Sequence, residues 1–218
     1  MPIVAQPTSS RPTAVGLSDC DYSSEDECRS ASNGSAEGWA AELVQEALQA
    51  PCTTIGLVSG NRQGSDRCVI DAYARLLAQQ LQKARFKRPL LIVRLHTQVA
   101  ATAGSTTARN SIPRPAPSPL GAWSDVHINV AVGRKSPGVL QQLPQWLPSW
   151  KTEYGFLLID LGPICELPSR VAGRLCDGCY VMLGPETCGS YEWLMRHIAW
   201  HDRSGSTMCG TLLTTTGD

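Results

Sequence analysis

Thr54-Ile55-Gly56-Leu57-Val58-Ser59-Gly60-Asn61-Arg62-Gln63-Gly64-Ser65-Asp66-Arg67 is the stretch on which the reading of this chain turns. Its first half, Thr54 to Ser59, is apolar and β-branched without alternation, which reads as a strand buried on both faces. Gly60 and Gly64, with polar residues between them, break the pattern as a tight loop. From Val69 to Ala84 the apolar residues Ile70, Tyr73, Leu76, Leu77 and Leu81 recur at helical spacing. Strand, glycine loop and helix therefore follow one another in that order.

Working outward, the same alternation extends over most of the chain. Upstream, Trp39, Leu43, Val44, Ala47 and Leu48 predict an amphipathic helix that Pro51 closes. Before it, residues 1–36 are rich in Ser, Pro and acidic residues and predict a disordered tail, because they offer little apolar area against the cost of ordering. Downstream, Leu90 to Val93 reads as a strand, 97–122 as a long proline-rich loop, Val126 to Val132 as a strand and Val139 to Trp150 as a proline-interrupted helix. Then come a strand at Phe156 to Asp160, a short helix near Arg170, a strand at Gly178 to Leu183, a helix at Tyr191 to His201 and a strand at Cys209 to Thr214. Apolar strands alternating with helices predict an α/β domain of three layers, a mostly parallel sheet with helices on both faces, over residues 37–218. Ligands of such sheets sit at the carboxyl ends of the strands, which singles out the loop after Val58 and the acid Asp160.

Bulk properties narrow the function classes. A chain of 218 residues holds one sizeable core and a tail. Its 19 basic and 19 acidic residues cancel, so no global field collects nucleic acid or acidic lipid. Nine cysteines without a repeating spacing argue against a secreted disulfide scaffold. With no signal-like N-terminus and no apolar run of bilayer length, the expectation is a soluble, cytoplasmic protein without direct membrane insertion.

A working phosphate loop has the form G-x-x-x-x-G-K-[ST]: its amides cradle phosphates, its lysine neutralises them and its hydroxyl holds magnesium. Laid on this template from Gly60, the chain puts Ser65 at the second glycine, Asp66 at the lysine and Arg67 at the hydroxyl. A carboxylate about 4 Å from a phosphate costs about 4 kcal/mol per charge pair at an effective dielectric near 20. Gly60, Arg62, Gly64, Ser65 and Arg67 are the candidate nucleotide-binding residues, with Arg62 or Arg67 available to compensate. An ordinary strand-to-helix turn is the blander alternative.

The second half carries a resemblance. Tyr154-Gly155-Phe156-Leu157-Leu158-Ile159-Asp160-Leu161-Gly162-Pro163 resembles the Y-D-[FYV]-[VL]-[IL]-I-D-x-P-P segment of bacterial tyrosine kinases of exopolysaccharide synthesis and their MinD/ParA-type relatives. Cys176-Asp177-Gly178-Cys179-Tyr180-Val181-Met182-Leu183-Gly184 is similar to their D-G-x-x-x-V strand, and the order agrees along roughly residues 40–214. The resemblance implies a P-loop NTPase fold, Asp160 as a Walker B-like acid with a catalytic role, and ATP with magnesium as cofactors. It also implies a protein partner, such as a membrane polysaccharide co-polymerase or another copy of the chain, and no nucleic acid. The chain departs from the family where chemistry is done. The family's second acidic strand end, I-D-x-D, falls on Ile92-Val93-Arg94-Leu95. An acid near Pro168 or Ser169 is absent, and the asparagine ending the last strand corresponds to Thr214. Because phosphoryl transfer rests on positioning and charge neutralisation, a non-catalytic or weakly nucleotide-binding regulator without a cofactor is expected. The alternative is an active ATP-dependent tyrosine kinase or ATPase with a non-standard loop.

A third possibility is a small zinc or redox module. Cys176, Cys179 and Cys188 with His197 and His201 supply the ligand types for zinc, the two histidines sharing one helix face. A redox pair is disfavoured because such a motif should open a helix. Along that last helix, Trp193, His197, Trp200 and His201 are expected to form an aromatic stripe opposite a core face of Tyr191, Leu194, Met195 and Ile198. No G-x-S-x-G hydrolase elbow is present.

Overall fold

A computed structural model describes residues 36–49, 53–61, 67–99, 112–119, 121–132, 139–184 and 191–213. The tail expected over 1–36 lies outside these residues, apart from Ala36, which opens the first helix. Residues 34–218 form one compact unit. Among the described residues no helix is long and apolar enough to cross a membrane.

The elements are α1 (Ala36–Gln49), β1 (Thr53–Ser59), α2 (Arg67–Lys83), β2 (Leu90–Val99), β3 (Ala116–Pro117), β4 (Trp123–Val132), α3 (Leu143–Glu153), β5 (Phe156–Pro163), α4 (Leu167–Gly173), β6 (Gly178–Leu183), α5 (Tyr191–Arg203) and β7 (Met208–Leu213). A 3-10 turn at Val139–Gln141 leads into α3. The sheet runs β3-β4-β2-β5-β1-β6-β7, parallel throughout except for the two-residue antiparallel β3 at one edge. β1 is hydrogen-bonded between β5 and β6, so the chain leaves it in one direction towards β2 and later returns on the other side. The crevice for a ligand opens at such a reversal.

Alternation along the central strands divides the core in two. Ile55, Leu57, Leu90, Ile92, Phe156 and Leu158 face α1 and α2, packing with Trp39, Leu43, Tyr73 and Leu77. Val58, Leu91, Val93, Leu157, Ile159 and Leu161 face the other layer, where Trp146 and Trp150 of α3 and Ala172 of α4 cover them. Three layers with a doubly covered, mostly parallel sheet are thus the architecture.

Several boundaries differ from the sequence expectation. β2 continues past Val93 to Val99, and β4 starts at Trp123, because the two pair over ten residues. The polar residues Arg94 and His96 on β2 and Asp125 on β4 hid the full extent of this pairing by interrupting the apolar runs. Within the expected loop 97–122, Ala116–Pro117 pairs with β4, and 100–111 lie outside the described residues. α3 tolerates Pro144 in its first turn, where an amide has no helical partner anyway, and it carries Pro148 inside.

The stripe expected on α5 requires correction. His197 and His201 are buried, whereas Tyr191 and Met195, expected in the core, are 65% and 39% exposed. Leu194 and Ile198 do pack on the core, joined by Trp193. Burial of two imidazoles overrode their polarity because a hydrogen-bonding pocket waits for His201: its Nε2 lies 3.3 Å from the carbonyl oxygen of Ile164 and 3.4 Å from Ser169 Oγ.

Candidate functional site at the carboxyl ends of the strands

The exit of β1 is tied down on both sides. The Gly60 amide donates to the Met182 carbonyl on β6 at 2.9 Å, and the Ile164 amide, just after β5, donates to the Ser59 carbonyl at 2.8 Å. Ser59 Oγ accepts from the Asn61 amide at 3.1 Å. Gly60, a candidate phosphate binder, therefore has its amide committed to the sheet. Arg62, Gly64, Ser65 and Asp66 lie outside the described residues, and of Arg67 the backbone opens α2.

Asp160 stands opposite Leu57 on β1 and opposite Arg94 on β2. Beyond it the register slips: Leu57 and Ser59 face Asp160 and Pro163, so β5 carries an extra residue over this interval. Gly162 absorbs the bulge with φ of +72°, a conformation side chains rarely tolerate, and its amide donates to Asp160 Oδ1 at 3.1 Å. By strand alternation Asp160 shares the α2 side of the sheet with Phe156 and Leu158.

That side holds a cluster which sequence reasoning missed. Arg94, 2% exposed, sends Nη2 to Asp71 Oδ1 on α2, while its Nε donates to Asp125 Oδ1 on β4 at 3.1 Å. Asp125 Oδ1 is also 3.1 Å from Nη2, and Nη1 has no hydrogen-bond partner among the described residues. One fixed cation is thus held between two carboxylates from two elements, in register with Asp160. The sequence did carry a signal: Arg94 and His96, and Asp125, His127 and Asn129, are polar residues at every second position of two strands, hence on one face.

Val93 and Leu95, the positions on which the resemblance places the second pair of acids, lie on the opposite face. Both are buried among the residues packed on α3. Near α4, Pro168 and Ser169 are buried and Ser169 Oγ donates to the Glu166 carbonyl at 2.7 Å. Thr214 lies outside the described residues.

The zinc candidates are not gathered. Cys176 and Cys179 lie beneath β1, their Sγ atoms donating weakly to the Ala172 and Gly173 carbonyls, while His201 is held by Ile164 and Ser169. The neighbouring Cys179 and burial push the Cys176 thiol well above its ordinary pKa, opposite to what a reactive or metal-binding thiolate needs. Cys188 lies outside the described residues, and among those described no three His, Cys, Asp or Glu residues converge as ligands.

With this geometry in place, comparison with known proteins adds the fold's relatives. No protein-family model matches the chain, and no curated protein matches it in sequence. Solved structures do. The chain is similar to the BceF tyrosine kinase domain, with TM-score 0.55 and 15% identity, over 84% of this chain and 77% of that one. It is also similar to the kinase domain of the Escherichia coli tyrosine kinase ETK, with TM-score 0.57 and 11% identity, over 84% and 76%. The VpsO kinase domain matches with TM-score 0.52 and 14% identity, over 84% and 93%. The chain has the fold of the bacterial tyrosine-kinase domains. At this level of identity the likeness concerns architecture; chemistry has to be argued from this chain's own residues.

Proposed function

We propose that this chain is a degenerate P-loop protein that regulates by docking to a protein partner, binds nucleotide weakly and transfers no phosphoryl group. The observation that carries this reading is Arg94, buried between Asp71 and Asp125 and in register with Asp160. Metal-dependent phosphoryl transfer needs carboxylates free to hold a divalent ion, whereas the two acids Asp71 and Asp125 on this face are already engaged by the Arg94 guanidinium. Apolar burial of Val93 and Leu95 and the acid at position 66 support the same conclusion. By its resemblance, the setting is exopolysaccharide synthesis or export, and the partner is a membrane polysaccharide co-polymerase or another copy of the chain. Tyr191 and Met195, large, exposed and one turn apart on α5, supply an apolar surface for such a contact.

The test is calorimetric titration with ATP and magnesium, together with a phosphotransfer assay. The wild-type chain should show millimolar or weaker affinity and no turnover, and the Asp66→Lys/Arg67→Thr variant should bind at least about tenfold more tightly, equal to the roughly 1.4 kcal/mol expected from replacing charge repulsion by attraction. Micromolar wild-type binding with turnover would establish the active-enzyme alternative instead.

A further inference from the structure

His96 on β2 and His127 on β4 form a pair outside the phosphate-loop site. Nε2 of His96 is 2.8 Å from Nδ1 of His127. Their ring planes agree within 5° and their centroids are 5.1 Å apart. That separation is the nitrogen contact plus one ring radius on each side, so the rings meet edge to edge in a common plane and are not stacked face to face. Two nitrogen lone-pair directions therefore converge on one point between two strands, with a single hydrogen lying between them.

The surroundings favour a cation at that point. His127 stands opposite Arg94 and His96 opposite Asn129 in the β2–β4 register. Asp125 precedes His127 by two residues on the same face, and with Asp71 it outweighs the charge of Arg94. His96 is half-buried and His127 exposed, so an ion can arrive from solvent and keep water as its remaining ligands.

We propose that His96 Nε2 and His127 Nδ1 form a binding site for one borderline divalent transition-metal ion of the zinc, cobalt and nickel class, completed by water. Metal–nitrogen bonds of about 2.0–2.1 Å at a tetrahedral angle set the two nitrogens about 3.3–3.4 Å apart, so the ion is admitted when the present contact opens by roughly half an ångström and each ring turns about 35° off the line between the nitrogens to aim its lone pair at the metal. Two metal–nitrogen bonds replace two metal–water bonds. The imidazole that donates the present hydrogen bond moves its proton to its other ring nitrogen, and both rings stay neutral. Imidazole ligation selects this class over magnesium and calcium, which prefer oxygen. Unlike the zinc reading of the cysteine segment, this site uses no thiolate, and it stands whether or not the nucleotide fold binds nucleotide.

The test is titration of the full chain with Co²⁺ alone, followed by absorption, alongside His96→Gln and His127→Gln. Thiolate ligation produces an intense near-ultraviolet charge-transfer band that imidazole ligation lacks, so cysteine sites are distinguished directly. One equivalent should bind without that band, and each variant should bind at least about tenfold more weakly, the loss that removing even an outer hydrogen-bond partner of a ligand brings. Imidazole nitrogen resonances of the wild-type chain, recorded with Zn²⁺, give a readout independent of the variants' folding: those of His96 and His127 should shift and those of His197 and His201 should not. Absence of binding, a thiolate band accounting for all bound cobalt, unchanged affinity in both variants, or shifts confined to other histidines would each overturn the proposal.

Discussion

Arg94 is the residue whose loss should be felt most. Removing its guanidinium leaves Asp71 and Asp125 facing each other in a largely dry site, and Arg94→Ala should destabilise the domain by about 3–5 kcal/mol in urea unfolding. Replacing the set by apolar residues of similar volume, Arg94→Met with Asp71→Leu and Asp125→Leu, should be near neutral, because no charge is then stranded. His201 predicts a pH effect. Burial, with Arg170 and His197 nearby, holds its pKa below the ordinary value, and its Nδ1 has no hydrogen-bond partner among the described residues. The unfolded chain therefore takes up the proton first. Stability should be complete above the unfolded imidazole pKa of about 6.5 and fall as the pH drops below it. Thermal melts between about pH 7 and pH 5.5 should show this slope, and His201→Gln should flatten it; an unchanged slope would assign the effect to other groups.

At the scale of elements, the contact between β1 and the turn after α4 explains a glycine that the sequence alone presents as an unremarked strand residue. A Cβ on Gly56 would lie 2.6 Å from Leu161 Cδ1, 2.9 Å from Cys179 Sγ and 3.0 Å from Cys176 Sγ. Gly56→Ala should cost about 1–3 kcal/mol by overpacking, and adding Cys179→Ala should recover part of that loss, measured by the same unfolding curves. The motif Asp177-Gly178 is anchored in the same place, since Asp177 Oδ2 accepts from the Thr54 amide at 2.7 Å and the Asp177 amide donates to the Thr54 carbonyl at 2.7 Å. Elements with unbroken apolar runs were legible in the sequence: β6 spans Gly178–Leu183 as expected, and β1 and α2 lie within two residues of expectation. β2 was under-read at its carboxyl end, where polar and apolar residues alternate from Arg94 onward, and β4 at its amino end, where Ser124 and Asp125 precede the apolar run; Arg94 and Asp125 there bind each other. On α5 the periodicity was right and the facing right in part, with Leu194 and Ile198 on the core as expected but Tyr191 and Met195 exposed and His197 and His201 buried, since helical spacing alone cannot tell which residues flanking the apolar stripe find polar partners such as Ile164 and Ser169.

For the molecule as a whole, the three-layer architecture was legible because it depends on the order of many elements, each of which tolerates local error. The candidate site was less so, because it depends on contacts between residues far apart in sequence, such as Asp71, Arg94 and Asp125, which no local pattern joins. The burial of Val93 and Leu95 has a consequence for how such a chain can change over generations. A carboxylate substituted at either position enters the layer beneath α3, where both residues have apolar neighbours, and an isolated buried acid either costs several kcal/mol or stays protonated. Meanwhile, converting Asp66 alone leaves Arg94 in place. On the reading proposed above, a single substitution at Val93, Leu95 or Asp66 thus either loses stability or leaves the Arg94 cluster in place, so the way to a metal-holding site from here runs through several changes at once, as past a ratchet.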